Sequence, residues 1–326
     1  MNIQRRHWMI SCLGMGLTAP SIWAQSNWPD KPIRVISAGS PGGSSDIFVR
    51  IIENRMKEKL GQPLFIDNKP GAGGMTAAGI ASVAAPNGLT LFVSNLATNA
   101  IGVTLYSKPS FNPQKDLPPV ARIATMTNAV AVRSDSGIQN MQQLIAILKS
   151  DQKKAFYGSA GIGTSSHLTG HILGKAMGAN LTHVPYKGTA ANLNALLAGE
   201  VLFCVDNLPV YTSHVKAGTL KLLAVTQARR LNSMPEVPTV QESAGLLGFD
   251  VFSWFGLSAA TGTPHAILER LGSEVVAALK EPEIAEKIRA VGAEPAPLGP
   301  NEYKAFINDE IRKWSTIVKS SGATAD

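Results

Sequence analysis

A chain of 326 residues, 44% apolar and 16% charged, has the composition of a globular protein long enough for two hydrophobic cores. Its 30 basic residues outnumber 23 acidic ones, yet no Lys/Arg run occurs and only 6% of residues are aromatic, which argues against nucleic-acid binding. Beyond residue 24 no stretch holds the ~20 uninterrupted apolar residues of a membrane span.

Residues 1–24 have a basic start, an apolar middle and a small residue, Ala24, at a cleavage point, the pattern of an export leader. Arg5 and Arg6 leave both the general secretory route and the twin-arginine route open. Too little apolar sequence precedes Cys12 for a lipid anchor, so the mature protein is expected to be soluble and outside the cytoplasm. Only Cys204 then remains, inside the apolar run "VLFCVD", which rules out an internal disulfide and suits a buried strand cysteine.

The first element is "IRVISA" from Ile33, a strand, followed by the turn "GSPGG". A helix from Ser44 or Ser45 follows, with Phe48, Ile51, Ile52, Met56 and Leu60 at helical spacing and Gly61 as its stop. The same grammar returns in "PLFIDN", "KPGAGG" and a small-residue helix from Met75 that ends before Pro86-Asn87-Gly88. The strand "LTLFVSN" brings Ser94, Asn95 and Asn99 to its end, where they either line a cleft or cap a loop. After an irregular proline-rich stretch, "VARIATMTNAVAV" is an extended crossover into a second region. That region opens with an amphipathic helix carrying Ile138, Met141, Leu144, Ile145 and Leu148. A third unit pairs "AFYGS" with "AGIGTSSH" and a helix bearing Leu168, Ile172 and Leu173. A helix near Asn192 to Ala198 and the strands "VLFCVDN" and "LKLLAVT" lead to a long return loop from Gln227. Three helices close the chain, two opening with Pro264 and Pro282 at N1, the last carrying Tyr303, Phe306, Ile307, Ile311 and Trp314.

Three strand, glycine-loop, helix units imply mostly parallel sheets with the loops at their carboxyl ends, where such folds bind ligands. Glycine lets main chain approach a ligand, and a helix N-terminus offers free N–H donors and about half a positive charge, which suits a carboxylate. Each loop alone is equally well read as a tight turn.

Enzyme signatures fail. No GxxxxGK[ST] loop occurs, and "GIGTSS" from Gly161 lacks the third glycine of a dinucleotide fingerprint. "YGSAG" around Ser159 resembles a nucleophile elbow, but Tyr157 stands where glycine is required; an exported hydrolase using Ser159 is the competing class. His167 and His171 can share a helix face but lack a third metal ligand, His183 sits before a proline at a strand end, and His214 and His265 have no recognisable partners.

The blocks "NWPDKPIRVI", "SPGGSSD", "DNKPGAGG", "APNGLTL", "GSAGIGTSSHL", "HVPYKGT", "MPEVPTVQESAG" and "FGLSAATGTP", in this order, resemble the substrate-binding proteins of tripartite tricarboxylate transporters, the Bug family. The resemblance spans essentially the whole mature chain. It implies an α/β, two-lobed periplasmic-binding-protein fold of the Venus flytrap, type II-like kind, each lobe a mostly parallel sheet flanked by helices. Expected segments are a leader at 1–24, lobe 1 at 25–124, lobe 2 at 125–226, and a return to lobe 1 with the C-terminal helices at 227–326. It further implies a small organic acid whose carboxylate is held by main chain of the first and third loops. By position these are Gly42, Gly43, Ser44, Ser45 and Asp46 on one side, and Ser159, Ala160, Gly161, Gly163, Thr164, Ser165 and Ser166 on the other. Tyr186 and Asp206 are further cleft residues, with Ser94 and Asn95 as candidates from the strand end. Ser40 departs from the apolar or aromatic residue common before Pro-Gly-Gly in the family. No catalysis, cofactor or metal is implied. A monomer is expected, with the membrane subunits of a secondary transporter as partners, or a sensor if the receptor is an orphan. The acid's identity stays open, because main-chain loops recognise the carboxylate while the rest of the pocket sets the shape.

Overall fold

In the computed structural model, which describes residues 28–39, 41–109, 111–151 and 155–325, the strand, loop, helix grammar takes the following form. Strand β1 (Ile33–Ser37) leads into α1 (Ser44–Leu60), and β2 (Leu64–Asn68) into α2 (Met75–Ser82). Helix α1 ends where Gly61 adopts φ +75°, a left-handed stop that glycine accepts freely. Strand β3 (Thr90–Asn95) runs into a π-helical turn at Ala97–Ile101 that continues as α3 (Gly102–Leu105), where the sequence suggests a cleft wall or a loop cap and no helix. A single turn, α4 (Pro113–Asp116), precedes the long strand β4 (Pro119–Arg133).

The second region holds α5 (Met141–Ser150), β5 (Phe156–Ser159), α6 (Ser165–Met177), β6 (Thr182–Pro185), α7 (Thr189–Ala198), β7 (Phe203–Asn207), α8 (Pro209–Lys216) and β8 (Leu220–Val225). Then come α9 (Val240–Ala244), β9 (Phe252–Ala259), α10 (His265–Leu279), α11 (Pro282–Ala290), β10 (Glu294–Leu298) and α12 (Pro300–Ser321). Pro282 is N1 of α11, whereas Pro264 is the N-cap of α10, one position earlier than expected.

Strand β4 belongs to both lobes. Its first half, to Thr127, pairs with β9 and β10, and its second half, from Asn128, pairs with β7 and β8. Lobe 1 therefore has the order β2-β1-β3-β9-β4-β10, and lobe 2 the order β6-β5-β7-β4-β8. The two-lobed α/β fold stands, but the sheets are mixed rather than mostly parallel. Parallel pairing is confined to β1 with β2 and β3, and to β5 with β6 and β7. The connecting strands β4 and β9 enter antiparallel, because a strand that carries the chain from one lobe to the other cannot share the direction of both sets of crossover units.

The return to lobe 1 also falls later than residue 227. Helix α9 packs on α5 and β8 of lobe 2, with Val240 and Phe249 in the same buried cluster as Leu144 and Leu148. The chain crosses back where the Val251 N–H meets the Thr226 carbonyl at 2.9 Å and Phe252 pairs with Thr127. Apolar packing sets this boundary. The expected leader, Cys12 and Ser40 lie outside the described residues.

Candidate ligand-binding site

The third glycine loop is built by its own hydroxyls. Thr164 caps α6, its Oγ1 accepting the His167 N–H at 3.3 Å and donating to the Gly161 carbonyl at 2.7 Å. Ser166 Oγ accepts the Ala160 N–H at 2.9 Å, Ser159 Oγ the Gly161 N–H at 3.1 Å, and His167 Nδ1 the Gly163 N–H at 3.2 Å. Those three amides are thus engaged within the protein. The amides of Ser165 and Ser166, first in α6, have no protein acceptor among the described residues, as the geometry of a helix start dictates.

A second open helix start is that of α7, where Gly188 (φ +90°) offers no side-chain cap and Thr189 follows. The third is that of α1. There Asp46 Oδ2 accepts the Gly42 N–H at 3.0 Å and the Arg50 Nε–H at 2.8 Å, and the Arg50 hydrogen bond is the main cause holding the Asp46 carboxyl below its usual range. Asp46 is buried and braces the loop from behind, while the amides of Ser44 and Ser45 stay open. Helix α1 is seated by Phe48 on Phe255, ring centroids 5.0 Å apart, and by the Ser44 hydroxyl 4.0 Å from the Met126 sulfur.

The starts of α6 and α7 wall a cavity of about 180 Å³ at the junction of the lobes, whereas Gly42, Gly43, Ser44, Ser45 and Asp46 of the first loop, and Gly161 of the third, are not among its lining residues. Lobe 1 supplies Asn95, Leu96, Ala97 and the β9 residues Ser253, Trp254 and Phe255; lobe 2 supplies Ala160, Thr164, Ser165, Ser166, Thr189, Asp206 and Asn207. No Lys, Arg or His is among them. Such a volume, below the ~300–1,000 Å³ of drug-sized pockets, fits a small molecule. A larger open groove of about 550 Å³ between α1 and α11 is crossed by the Arg55–Glu281 ion pair and contains none of the loop residues.

Among the described residues that line the cavity, Asp206 alone has an ionisable side chain. Its Oδ2 accepts Asn192 Nδ2 at 2.9 Å and its Oδ1 the Asn207 N–H at 2.8 Å; burial pushes its carboxyl up to about 6 against the pull of those two bonds.

Several sequence-based assignments change. Ser94 is fully buried and its Oγ meets the Tyr303 hydroxyl at 3.0 Å, so it faces α12 rather than the cleft. Tyr186 does not line the cavity; its hydroxyl donates to Glu200 at 3.1 Å. Gly163 packs on Leu105 of lobe 1, where a Cβ would lie 2.1 Å from Leu105 Cδ2. Ser159 is fully buried, its Oγ 2.6 Å from His183 Nε2. This is a Ser–His pair, but no carboxylate orients His183 among the described residues, and Ser159 is not among the residues that line the cavity. His183 instead stacks on His167 with centroids 3.9 Å apart, and the Tyr157 hydroxyl donates to the His167 carbonyl at 2.8 Å. Burial holds these imidazoles neutral, lowering His167 to about 3 and His183 to about 4. Among the described residues no group of three or more His, Cys, Asp or Glu is placed to hold a metal ion.

Leu96, Ala97, Thr189, Asn207 and the β9 segment 253–255 are cavity residues that the sequence reading does not name. Asn207 carried a signal, standing beside Asp206 at a strand end, but β9 is apolar and reaches the cavity only through pairing with β3 and β4.

Two mixed α/β lobes strung on a shared strand, with a small cavity walled by helix starts at their junction, define a periplasmic-binding-protein fold. The chain belongs to the tripartite tricarboxylate transporter family receptors, whose family model matches residues 48–323. It is 29% identical over 309 residues to protein BugT of Bordetella pertussis, covering 94% of each chain. Among solved structures it resembles a Rhodopseudomonas palustris protein with adipate, at 30% identity and TM-score 0.84, over 91% of this chain and 99% of that one. It also resembles MatC of the same species with bound malate, at 30% identity and TM-score 0.78, over 89% of this chain and 100% of that one.

Proposed function

We propose that the protein is an exported receptor that captures a small organic carboxylate between its lobes and delivers it, chemically unchanged, to the membrane subunits of a tripartite tricarboxylate-type transporter. The observation that carries this reading is the set of unpaired amides at the starts of α6 and α7, beside a small cavity without any basic side chain. Main-chain donors and helix dipoles are then what can neutralise an anion there. Adipate and malate in similar structures are acids of this class. Among the described residues no helix is long and apolar enough to cross a membrane, which agrees with a receptor that must meet its transporter from outside.

Native mass spectrometry of gently purified protein, followed by a thermal-shift screen of carboxylates, tests the proposal. The expected result is a carboxylate that raises the melting temperature by several degrees, as mass action requires of a ligand well above its Kd, and that is recovered with unchanged mass. Recovery of a hydrolysed product, or a shift with uncharged ligands alone, would overturn it.

A further inference from the structure

We infer that the cleft selects a small monocarboxylate carrying a hydrogen-bond donor, a hydroxyl or an ammonium group, and that Asp206 is the specificity-determining acceptor for that donor. This rests on the carboxylate reading above. One wall of the cavity is donor-rich: the amides of Ser165 and Ser166, with the start of α7 at Thr189, face it unpaired. The other wall is acceptor-rich. A carboxylate can accept about four hydrogen bonds, and Asp206, only 1% exposed on β7, accepts two, from Asn192 and from the Asn207 N–H. The neighbouring Asn207 Oδ1 is buried with no hydrogen-bond partner among the described residues.

The groups packed around Asp206 do not fill its remaining sites. Cys204 Sγ, on the same strand, turns to Asn192 Oδ1 at 3.1 Å, and the buried Tyr211 hydroxyl has no hydrogen-bond partner. No cation lines the cavity to neutralise Asp206. A ligand with a carboxylate at one end and a donor at the other satisfies both walls. A second carboxylate would meet a buried like charge, which is strongly unfavourable. A plain alkyl end would leave the acceptors unpaired.

The test is calorimetric titration at neutral pH with butyrate, 4-hydroxybutyrate, 4-aminobutyrate and succinate, and the matched three-carbon and five-carbon sets. At its best chain length the protein should bind the hydroxy or amino acid at least about tenfold more tightly than the plain acid and the diacid. Asp206→Asn, isosteric and checked by thermal melting, should shrink that preference to within about threefold, and more for the ammonium ligand than for the hydroxyl ligand. If the plain acid or the diacid binds as tightly as the donor-bearing acid, or if Asp206→Asn leaves the ratio unchanged, the inference fails while the carboxylate reading survives. If butanol or butylamine binds as well as the acids, or no acid of any length binds, the carboxylate reading itself fails.

Discussion

Gly43 and Gly161 open loops on opposite lobes, yet their backbones differ. Gly43, at φ −75° and ψ 166°, is extended and accepts any residue, whereas Gly161, at φ +128°, lies where side chains are strained. If the α1 start takes part in holding the ligand, as the family resemblance implies, Gly43→Val should keep its melting temperature but bind ligand about tenfold more weakly, by crowding the Ser44 and Ser45 amides. Gly161→Val should instead lose about 1–3 kcal/mol of stability, its Cβ also meeting the Tyr186 carbonyl at 3.3 Å. Calorimetry beside urea unfolding separates the two, and equal losses of stability would refute the distinction. Acid sensitivity also begins with single residues. His167 and His183 titrate near 3 and 4 when folded against 6.5 otherwise, so the unfolded chain binds protons first; their stabilisation is complete above about 6.5 and is lost as pH falls toward 4. Asp206 opposes them: raised from 3.8 to about 6, it penalises the fold above about 6 and relieves that penalty as pH falls. Two imidazoles outweigh one carboxyl. Urea melts from about pH 7 to about pH 4.5 should show falling stability, with a shallower slope in His183→Gln and a steeper one in Asp206→Asn. That glycine loops would present amides was legible in the sequence. Which amides stay open was not, because the Ser159, Ser166 and His167 side chains claim Gly161, Ala160 and Gly163 only once the turn has formed.

Elements with strong apolar periodicity, such as α1, α5, α6 and α12, were legible at once, since each has one face to bury. Strand β10, "EPAPL", was not, because two prolines argue against a strand; it survives as an edge pairing only with β4. Helix α9 hides within a loop-like stretch, although Thr239 and Glu242 form a capping box with bonds of 3.1 and 2.9 Å, a signature visible as "TVQE". Helix α12 shows what periodicity cannot reveal. On its buried face Glu310 Oε2 accepts both indole N–H groups, Trp254 at 2.9 Å and Trp314 at 3.0 Å, and so ties α12 to β9 at the cavity wall. Glu310→Leu leaves two buried donors unpaired and should cost about 2–4 kcal/mol in urea unfolding. Glu310→Gln keeps an acceptor and should cost less than half as much. Similar losses for the two variants would mean that packing, not hydrogen bonding, fixes the helix.

At the scale of the molecule, the lobes meet at the chain crossing, where α12 packs on α6, and where the third glycine loop touches α3. The covalent crossing is a knot of hydroxyls: Thr226 Oγ1 donates to the Val251 carbonyl at 2.7 Å, and Thr127 Oγ1 to the Asn128 carbonyl at 2.9 Å, where β4 changes partners. The loop contact is Gly163 of lobe 2 on Leu105 of α3, which is this close because the glycine has no Cβ. If ligand capture works by lobe closure, that contact must form in the bound state, and a methyl group at residue 163 should wedge the lobes apart. Gly163→Ala has a second effect, since φ +76° strains any other residue by about 1–2 kcal/mol. Leu105→Ala separates the two, because it makes room for the methyl group and leaves the strain untouched, at its own cavity cost of about 2–5 kcal/mol. With saturating ligand, small-angle scattering should show Gly163→Ala more expanded than the unaltered protein and bound several-fold more weakly. The double variant Gly163→Ala/Leu105→Ala should regain compactness and most of the affinity while remaining the less stable fold. If Gly163→Ala is as compact as the unaltered protein, or if the double variant fails to recover, residue 163 is a turn position only and the closing surface lies elsewhere.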